Sequence, residues 1–268
     1  MNITIGKPCA ISEKGNKTNN EDFIYPSPEV VTSDQRLFLV CDGVGGAEKG
    51  EVASALACEH FQTYFSSMLG REEPTYEFIQ KAIQYTEANF DTYVDEYPEA
   101  KGMGTTLTML YIGASGITLA HIGDSRIYQF RNGEIVYRTE DHSLVNSFVK
   151  LGQITPEEAM HHAQKHVILR SIQGSDSHVE ADVAFVDDVQ PGDYFFLCTD
   201  GIMENLSDEA LSAIFQKQLP PDILKDELVG LCDGKTHDNY SFYIIPIQSV
   251  QNSVSYTQNI LSFLYSFI

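Results

Sequence analysis

Short runs of apolar residues, bounded by charged residues or glycine, recur along the chain and predict strands. The runs at 37–41 and 194–198 are apolar throughout, which is typical of a strand covered on both faces. Further strands are predicted at 2–11, 102–112, 115–123, 179–186 and 240–247, with a hairpin at 125–138 that turns at Asn132-Gly133. Most of these strands follow one another through hairpins, which indicates antiparallel pairing.

Two long stretches between the strands at 37–41 and 102–112 carry apolar residues at helical spacing. Residues 50–69 and 75–96 place apolar side chains three or four positions apart. Shorter helices are predicted near 143–151, from Thr155-Pro156, after Ser207 and near 220–232. Antiparallel strands with helices packed outside them predict an α+β sandwich rather than a doubly wound parallel sheet.

No long linker or repeat divides the 268 residues, so we expect one domain over residues 1–247 and a tail over 248–268. The tail ends in NILSFLYSFI, which is too short and too serine-rich to span a bilayer. A docked element, a partner contact and a membrane-surface segment remain open for it. Without a signal peptide, and with five cysteines that form no CxxC pair, we expect free thiols in a reducing cytoplasm.

The charge balance narrows the choice of partners. The chain has 38 acidic and 17 basic residues, a formal net charge of −21. Such an excess repels nucleic acids and anionic membrane surfaces, so we expect neither as a partner. It fits a cation-binding protein and equally fits plain solubility.

Aspartates placed where a predicted strand meets a tight turn form the candidate site: Asp42, Asp124, Asp200 and Asp238. A single Asp-Gly pair commonly marks a plain turn. Asp42 and Asp200, however, follow wholly apolar strands, where an unpaired charge is costly to desolvate. Carboxylates gathered in one pocket repel unless cations neutralise them, and oxygen ligands favour magnesium or manganese. Two such ions would activate a water for in-line displacement at phosphorus.

A set of motifs then follows in a characteristic order: NNED (19–22), LVCDGVGG (39–46), GMGTTL (102–107), HIGDSRIY (121–128), TEDHS (139–143), ITPEEA (154–159), FLCTDGIMENL (196–206) and HDNYSFYII (237–245). This order resembles the metal-dependent protein serine/threonine phosphatases of type 2C, particularly the compact bacterial members. Each motif is modestly specific, but the ordered set is very specific. The resemblance implies a four-layer αββα fold, a central antiparallel β-sandwich flanked by helices on both sides. It also implies removal of phosphate from phosphoserine and phosphothreonine in proteins.

The resemblance also implies roles for individual residues. Asp42 would bridge two Mg²⁺ or Mn²⁺ ions, with the Gly43 carbonyl completing one coordination shell. Asp200 and Asp238 would hold the other ion, and Asp124 would bind a third ion shared with Asp200. The nucleophile would be the water or hydroxide that bridges the ions, so no phosphoenzyme would form. Asp42, Asp200 and Asp238 are therefore the expected catalytic residues.

Further positions around these ligands match the family as well. The resemblance implies that Glu21 and Asp22 orient metal-bound waters. Thr105 and Thr106 would brace the site rather than react. The segment 144–176 falls where the family carries a mobile flap that bears on substrate choice.

Two positions depart from the family pattern. The family has an arginine three residues before the Asn of NED, and it grips the substrate phosphate. Lys17 stands there instead, and it keeps the charge but loses the bidentate fork, so phosphate binding and a solvated loop position are both open for it. In animal members a histidine follows the central Asp-Gly and protonates the leaving group. This chain has Val44 at that position. A metal-bound water would therefore have to supply the proton. Histidines are expected to be structural or exposed rather than ligands: His121 and His142 beside the site, and His161, His162 and His166 on the flap or surface.

Other functions remain to be weighed against hydrolysis. A pseudophosphatase that binds a phosphoprotein without turnover finds support only in Lys17. A phosphotransferase that uses Asp42 as nucleophile typically has a second Asp two residues later, where this chain has Val44. A nucleotide-binding loop is excluded by the glycine spacing of DGVGGAEKGE and by the missing Lys-Ser/Thr. We therefore expect phosphorylated protein substrates, made by a serine/threonine kinase, and a monomeric chain.

Overall fold

Two antiparallel β-sheets packed face to face form the centre of the molecule. A computed structural model describes residues 1–44, 49–68 and 74–251. Within these residues the strands are β1 Asn2–Ile5, β2 Cys9–Glu13, β3 Asp22–Tyr25, β4 Leu37–Val44, β5 Gly104–Thr105, β6 Leu107–Ile112, β7 Ile117–Ile122, β8 Arg126–Arg131, β9 Glu134–Arg138, β10 Asp182–Val186, β11 Tyr194–Cys198 and β12 Tyr240–Gln251. One sheet has the order β1-β12-β11-β8-β9, with β2 also paired to β12. The other has the order β10-β7-β6-β4-β3, with β5 paired to β4.

Helices cover the outer face of each sheet. The α-helices of the described residues are α1 Gly50–Met68, α2 Tyr76–Glu96, α3 Leu144–Lys150, α4 Pro156–Met160, α5 Asp208–Phe215 and α6 Pro221–Cys232. Of these, α1, α2, α5 and α6 form the two outer layers. α1 and α2 bury Phe61 and Phe78 against the sheet that contains β4. α5 and α6 bury Phe215 and Leu228 against the sheet that contains β11. The predicted four-layer αββα sandwich is therefore confirmed.

The alternation of side chains along β4 and β11 explains their continuous apolar runs. In β4, Leu39 and Cys41 face the helices, whereas Phe38 and Val40 face the other sheet. In β11, Phe195 likewise belongs to the core between the sheets. Because side chains of a strand alternate between its faces, Asp42 falls on the same face as Phe38 and Val40. The strand thus directs its terminal carboxylate into the space between the two sheets.

Local sequence signals place several element boundaries as expected. The β8–β9 hairpin turns at Asn132 and Gly133, whose φ angles of +52° and +84° suit these two residues. Thr155 and Glu158 form both hydrogen bonds of a capping box at the start of α4. The residue types at these turns and caps therefore favour the observed local chain path.

The prediction of one continuous strand over residues 2–11 is wrong, because two separate strands occupy this stretch. β1 pairs with residues 247–251 of β12, and β2 pairs with residues 240–244 of the same strand. Pro8 lies between β1 and β2, and a proline has no N–H to donate to a sheet ladder. The edge strand is consequently interrupted there.

The C-terminal boundary also differs from the sequence reading. β12 continues to Gln251, so residues 248–251 belong to the sheet and not to a separate tail. The apolar NILSFLYSFI stretch lies outside the described residues, as do Gly45 and Gly46 of the central motif. None of the helices within residues 1–44, 49–68 and 74–251 is long and apolar enough to cross a membrane.

Candidate active site

Asp42 lies near the end of β4, where a neighbouring segment fixes its backbone. The Asp42 N–H donates to Thr106 Oγ1 at 2.9 Å. The Asp42 carbonyl accepts from the Thr105 hydroxyl at 2.9 Å and from the Thr106 N–H at 2.9 Å. Both threonines are fully buried. They brace the strand end and present no free hydroxyl as a nucleophile.

Gly43 and Gly50 bring β4 into direct backbone contact with the start of α1. A Cβ atom on Gly43 would lie 2.0 Å from the Gly50 carbonyl oxygen, so no side chain fits there. A Cβ atom on Gly50 would lie 2.8 Å from the Gly43 carbonyl oxygen and 2.9 Å from Glu21 Oε1. The Gly43 carbonyl and the Glu21 carboxylate therefore lie together against Gly50.

Asp124 lies in the turn between β7 and β8, and this turn packs on Thr106. Gly123 has a φ angle of +99°, and a Cβ atom there would lie 2.5 Å from Thr106 Cγ2. Both facts require glycine at this position. Thr106 Oγ1 and Ser125 Oγ are 2.7 Å apart. Since Thr106 also binds the Asp42 backbone, one side chain ties these two strand ends together.

Asp200 and Asp238 approach each other because the chain after β11 packs on the chain before β12. Asp200 begins a short 3₁₀ helix, Asp200–Glu204. A Cβ atom on Gly201 would lie 2.0 Å from the Asn239 carbonyl oxygen. A side chain at Gly201 would therefore push apart the segments that carry Asp200 and Asp238.

The pKa shifts show that the aspartates interact as one cluster. Burial, and then the charges of Asp22, Asp200, Asp124 and Asp238, raise the pKa of Asp42 well above its ordinary value. Burial raises the pKa of Asp200 to about 6, with Asp238 as the next cause. Burial, followed by the Asp200 charge, also raises the pKa of Asp124. Because these charges act on one another, the four aspartates that the sequence singles out lie in the same region of the structure.

Asp22 contributes a fifth carboxylate from the strand beside β4. Asp22 pairs with Asp42 in the β3–β4 register and is buried, with 5% of its surface exposed. Its Oδ2 accepts from the Thr199 hydroxyl at 2.9 Å, whereas its Oδ1 has no hydrogen-bond partner among the described residues. Burial raises the pKa of Asp22 to about 8. This carboxyl group therefore has an unused oxygen beside Asp42 and Asp200.

Lys17 lies at the rim of the cluster. Its Nζ is 2.9 Å from Asp238 Oδ1, and 41% of the lysine side chain is exposed. The hydrogen bond to Asp238 raises the pKa of Lys17, and the charges of Glu21 and Asp42 act in the same direction. The lysine is therefore placed beside the aspartates and not in a remote loop.

Asn239 holds the loop that carries Lys17 and Glu21, and the sequence reasoning gave it no role. Its Oδ1 accepts from the Glu21 N–H at 2.8 Å. Its Nδ2 donates to the Lys14 carbonyl at 2.8 Å and to the Asn19 carbonyl at 2.8 Å. Only its position next to Asp238 in the HDNY motif could have drawn attention to it.

The segment 144–176 is attached to Thr105 near its C-terminal end, and a further hydrogen bond joins two parts of the segment to each other. Ile172 and Thr105 exchange backbone hydrogen bonds of 2.8 and 3.0 Å. The Leu144 N–H donates to the Val167 carbonyl at 2.8 Å. Within this segment the exposed His166, expected on the flap or surface, lies close enough to Asp200 to lower the pKa of that carboxyl.

The residues of the cluster fit divalent cations. The donors are carboxylate and carbonyl oxygens, the ligands that Mg²⁺ and Mn²⁺ prefer. As whole residues, Asp42, Asp200 and Asp238 are half-buried and not enclosed in the core. The unpartnered Asp22 Oδ1 and the mutual repulsion of the carboxylates are both expected where cations otherwise balance the charge.

The fold is a four-layer αββα sandwich, and its aspartate cluster offers the oxygen ligands that divalent cations prefer. Residues 12–227 match the family model described as Protein phosphatase 2C. The chain therefore belongs to the protein phosphatase 2C family, whose members depend on metal ions.

Named relatives agree with this assignment. The serine/threonine protein phosphatase PstP of Mycobacterium tuberculosis is 34% identical over 203 residues, which cover 75% of this chain and 37% of PstP. Protein phosphatase PhpP of Streptococcus pneumoniae is 32% identical over 205 residues, which cover 76% of this chain and 81% of PhpP. The matched part of this chain thus corresponds to about a third of PstP and to most of PhpP.

Solved structures agree as well. The structure of the serine/threonine phosphatase PstP/Ppp of Mycobacterium tuberculosis matches with a TM-score of 0.78 at 30% identity. The match covers 92% of this chain and 100% of the PstP/Ppp chain. The PstP catalytic domain in complex with two manganese ions has a TM-score of 0.73 at 30% identity over 92% of this chain and 100% of that one.

Proposed function

We propose that this protein is a metal-dependent serine/threonine phosphatase that hydrolyses phosphoserine and phosphothreonine in proteins. The observation that carries the proposal is the convergence of Asp42, Asp124, Asp200 and Asp238 beside the unpartnered oxygen of Asp22. Family membership and the names of the relatives support the same activity.

The cluster would hold two Mg²⁺ or Mn²⁺ ions and, at Asp124, a third. Asp42 and the Gly43 carbonyl would bind on one side, and Asp200 and Asp238 on the other. When bound, the ions activate a water for in-line attack on phosphorus and balance the charge of the phosphate. The manganese bound by the PstP catalytic domain supports this ion as a cofactor.

The protein's own side chains would orient water and substrate around these ions. Glu21 and the free oxygen of Asp22 would accept hydrogen bonds from water and so set its orientation. Lys17 would donate to a phosphate oxygen, because its ammonium group lies beside the site and remains protonated. Val44 offers no proton to the leaving group. The domain would comprise residues 1–247 together with the last residues of β12, which ends at Gln251.

The proposal extends to the setting in which the enzyme acts. The cysteines Cys9, Cys41, Cys58, Cys198 and Cys232 are all free thiols, which supports a reducing compartment such as the cytoplasm. The substrates would be the phosphoproteins made by a serine/threonine kinase, and the enzyme would act as a monomer.

Turnover by the purified full-length chain tests the proposal. We expect manganese- or magnesium-dependent hydrolysis of p-nitrophenyl phosphate and of phosphoserine and phosphothreonine peptides, abolished by EDTA. Asp42→Asn, which removes the bridging carboxylate with little change in shape, serves as the matched inactive control. Binding of phosphopeptides without hydrolysis at any metal concentration would instead identify a phosphoprotein-binding pseudophosphatase.

A further inference from the structure

His142 holds the peptide group of Gly123, the residue before Asp124, from both sides. The Gly123 N–H donates to His142 Nδ1 at 3.1 Å. In return, the backbone N–H of His142 donates to the Gly123 carbonyl at 2.9 Å. Gly123 has no side chain to restrict its backbone, so these two hydrogen bonds help to hold its conformation. His142 therefore holds the backbone directly before Asp124.

Asp182 in turn fixes the orientation of the His142 ring. Because Nδ1 accepts a hydrogen bond, the proton of the neutral imidazole is on Nε2. His142 Nε2 lies 3.3 Å from Asp182 Oδ2. The ring also stacks on His121, with centroids 4.4 Å apart, and His121 Nε2 bonds the Glu140 carbonyl at 2.9 Å. Contacts at Nδ1, at Nε2 and on the ring face thus hold the imidazole in place.

His121, His142 and Asp182 also have the spacing of a metal site, with one ligand atom from each within 4.8 Å. A metal ion at His142 Nε2 would compete with the Gly123 N–H for the single lone pair of the neutral ring. The Arg170 guanidinium moreover lies 2.8 Å from Asp182 Oδ1 and 3.3 Å from His142 Nε2. A permanent cation therefore already neutralises the carboxylate, which favours a hydrogen-bond relay over a metal site.

The same residues attach the 144–176 segment. The Leu169 N–H donates to the His142 carbonyl at 2.7 Å, and Ser143 and Ile168 form an isolated bridge. Arg170 joins the segment to Asp182 on β10. Displacement of the segment near Leu169 and Arg170 would therefore act directly on His142.

We propose that His142, oriented by Asp182, is a positioning residue that couples the 144–176 segment to the metal affinity of Asp124. This inference rests on the proposed function only in that Asp124 binds a cation. When the segment is seated, the relay holds the Gly123 peptide and with it the Asp124 carboxylate. When the segment moves away, the relay loosens and the ion at Asp124 is bound more weakly.

Manganese binding to the full-length protein, measured by isothermal titration calorimetry, tests the coupling. His142→Gln places its amide near the position of Nε2 and loses the Gly123 contact, whereas His142→Asn retains an acceptor near Nδ1. We expect His142→Gln and His142→Ala to weaken the lowest-affinity manganese site by 10-fold or more. His142→Asn is expected to retain most of that affinity, and the exposed His161→Ala is the control. Wild-type affinity in both His142→Gln and His142→Ala, or equal loss in His142→Asn and His142→Ala, would overturn the proposal.

Limited proteolysis of the 144–176 segment supplies a second measurement that does not depend on any substitution at His142. Manganese is expected to slow cleavage of this segment in the wild type, and Asp182→Asn is expected to reduce that protection. Equal cleavage rates with and without manganese in the wild type would also overturn the coupling. A wild type without phosphatase turnover would refute the proposed function, yet these binding and cleavage measurements would still decide the coupling.

Discussion

Replacement of Asn239 by alanine is expected to destabilise the protein and to weaken its metal site together. Asn239 is buried, with 2% of its surface exposed. Its side chain joins β12 to the loop that carries Lys17 and Glu21 through hydrogen bonds of 2.8 Å each. Alanine would leave the Glu21 N–H and the carbonyls of Lys14 and Asn19 without these partners. The loop would then lose its attachment beside Asp238.

The size of the effect follows from those contacts. At about 1 kcal/mol for each net hydrogen bond, three lost bonds lower the free energy of unfolding by roughly 3 kcal/mol. For a chain of this size that corresponds to a melting temperature about 6–12 °C lower. Displacement of Glu21 is expected to raise the manganese concentration for half-maximal activity by about 10-fold or more.

Urea denaturation and manganese titration of activity check both parts of this prediction. The matched control is Asn205→Ala, since the Asn205 amide donates a single hydrogen bond, to Thr236 Oγ1 at 2.8 Å. That variant is expected to lose about 1 kcal/mol and to keep its manganese response. The reasoning would be refuted if Asn239→Ala lost no more stability than Asn205→Ala, or if its manganese response were unchanged.

Three further predictions concern the carboxylates and Lys17. Asp42→Asn is expected to abolish turnover while the circular dichroism spectrum stays native, because only the bridging ligand is lost; wild-type rates would contradict that role. Lys17→Arg is expected to change KM for a phosphopeptide more than kcat, and no change in either would place Lys17 in solvent. The carboxyls of Asp22, with a pKa of about 8, and Asp200, with a pKa of about 6, hold protons in the metal-free folded state that the unfolded chain has lost above about pH 4. Burial lowers the pKa of His142 to about 4, which opposes this trend below about pH 6.5. The melting temperature in EDTA should therefore fall from about pH 6.5 to 8, and manganese should remove the decrease; a rise in EDTA over this range would contradict the shifts.

Much of the fold was determined by patterns that neighbouring residues create. Asn132-Gly133 specifies its hairpin because both residues tolerate positive φ angles. Thr155 and Glu158 specify a helix start because each reaches the other's backbone N–H within one turn. The aspartates after the apolar runs 37–41 and 194–198 could be singled out for the same reason, since a charge that ends a buried strand is visible in the sequence alone.

Only the tertiary structure decided how these aspartates meet and what holds them. Asn239 accepts a hydrogen bond from the Glu21 N–H, 218 residues away, and apart from its place next to Asp238 its sequence context is that of an ordinary turn asparagine. The same holds for the contact of Gly43 with Gly50, the free oxygen of Asp22 and the His142 contacts with Gly123. Local patterns indicate the conformation of a segment, because the conformational energy of a segment depends on adjacent residues. The partners of a buried polar group depend instead on which distant strands pair, and that is settled only when the sheets pack.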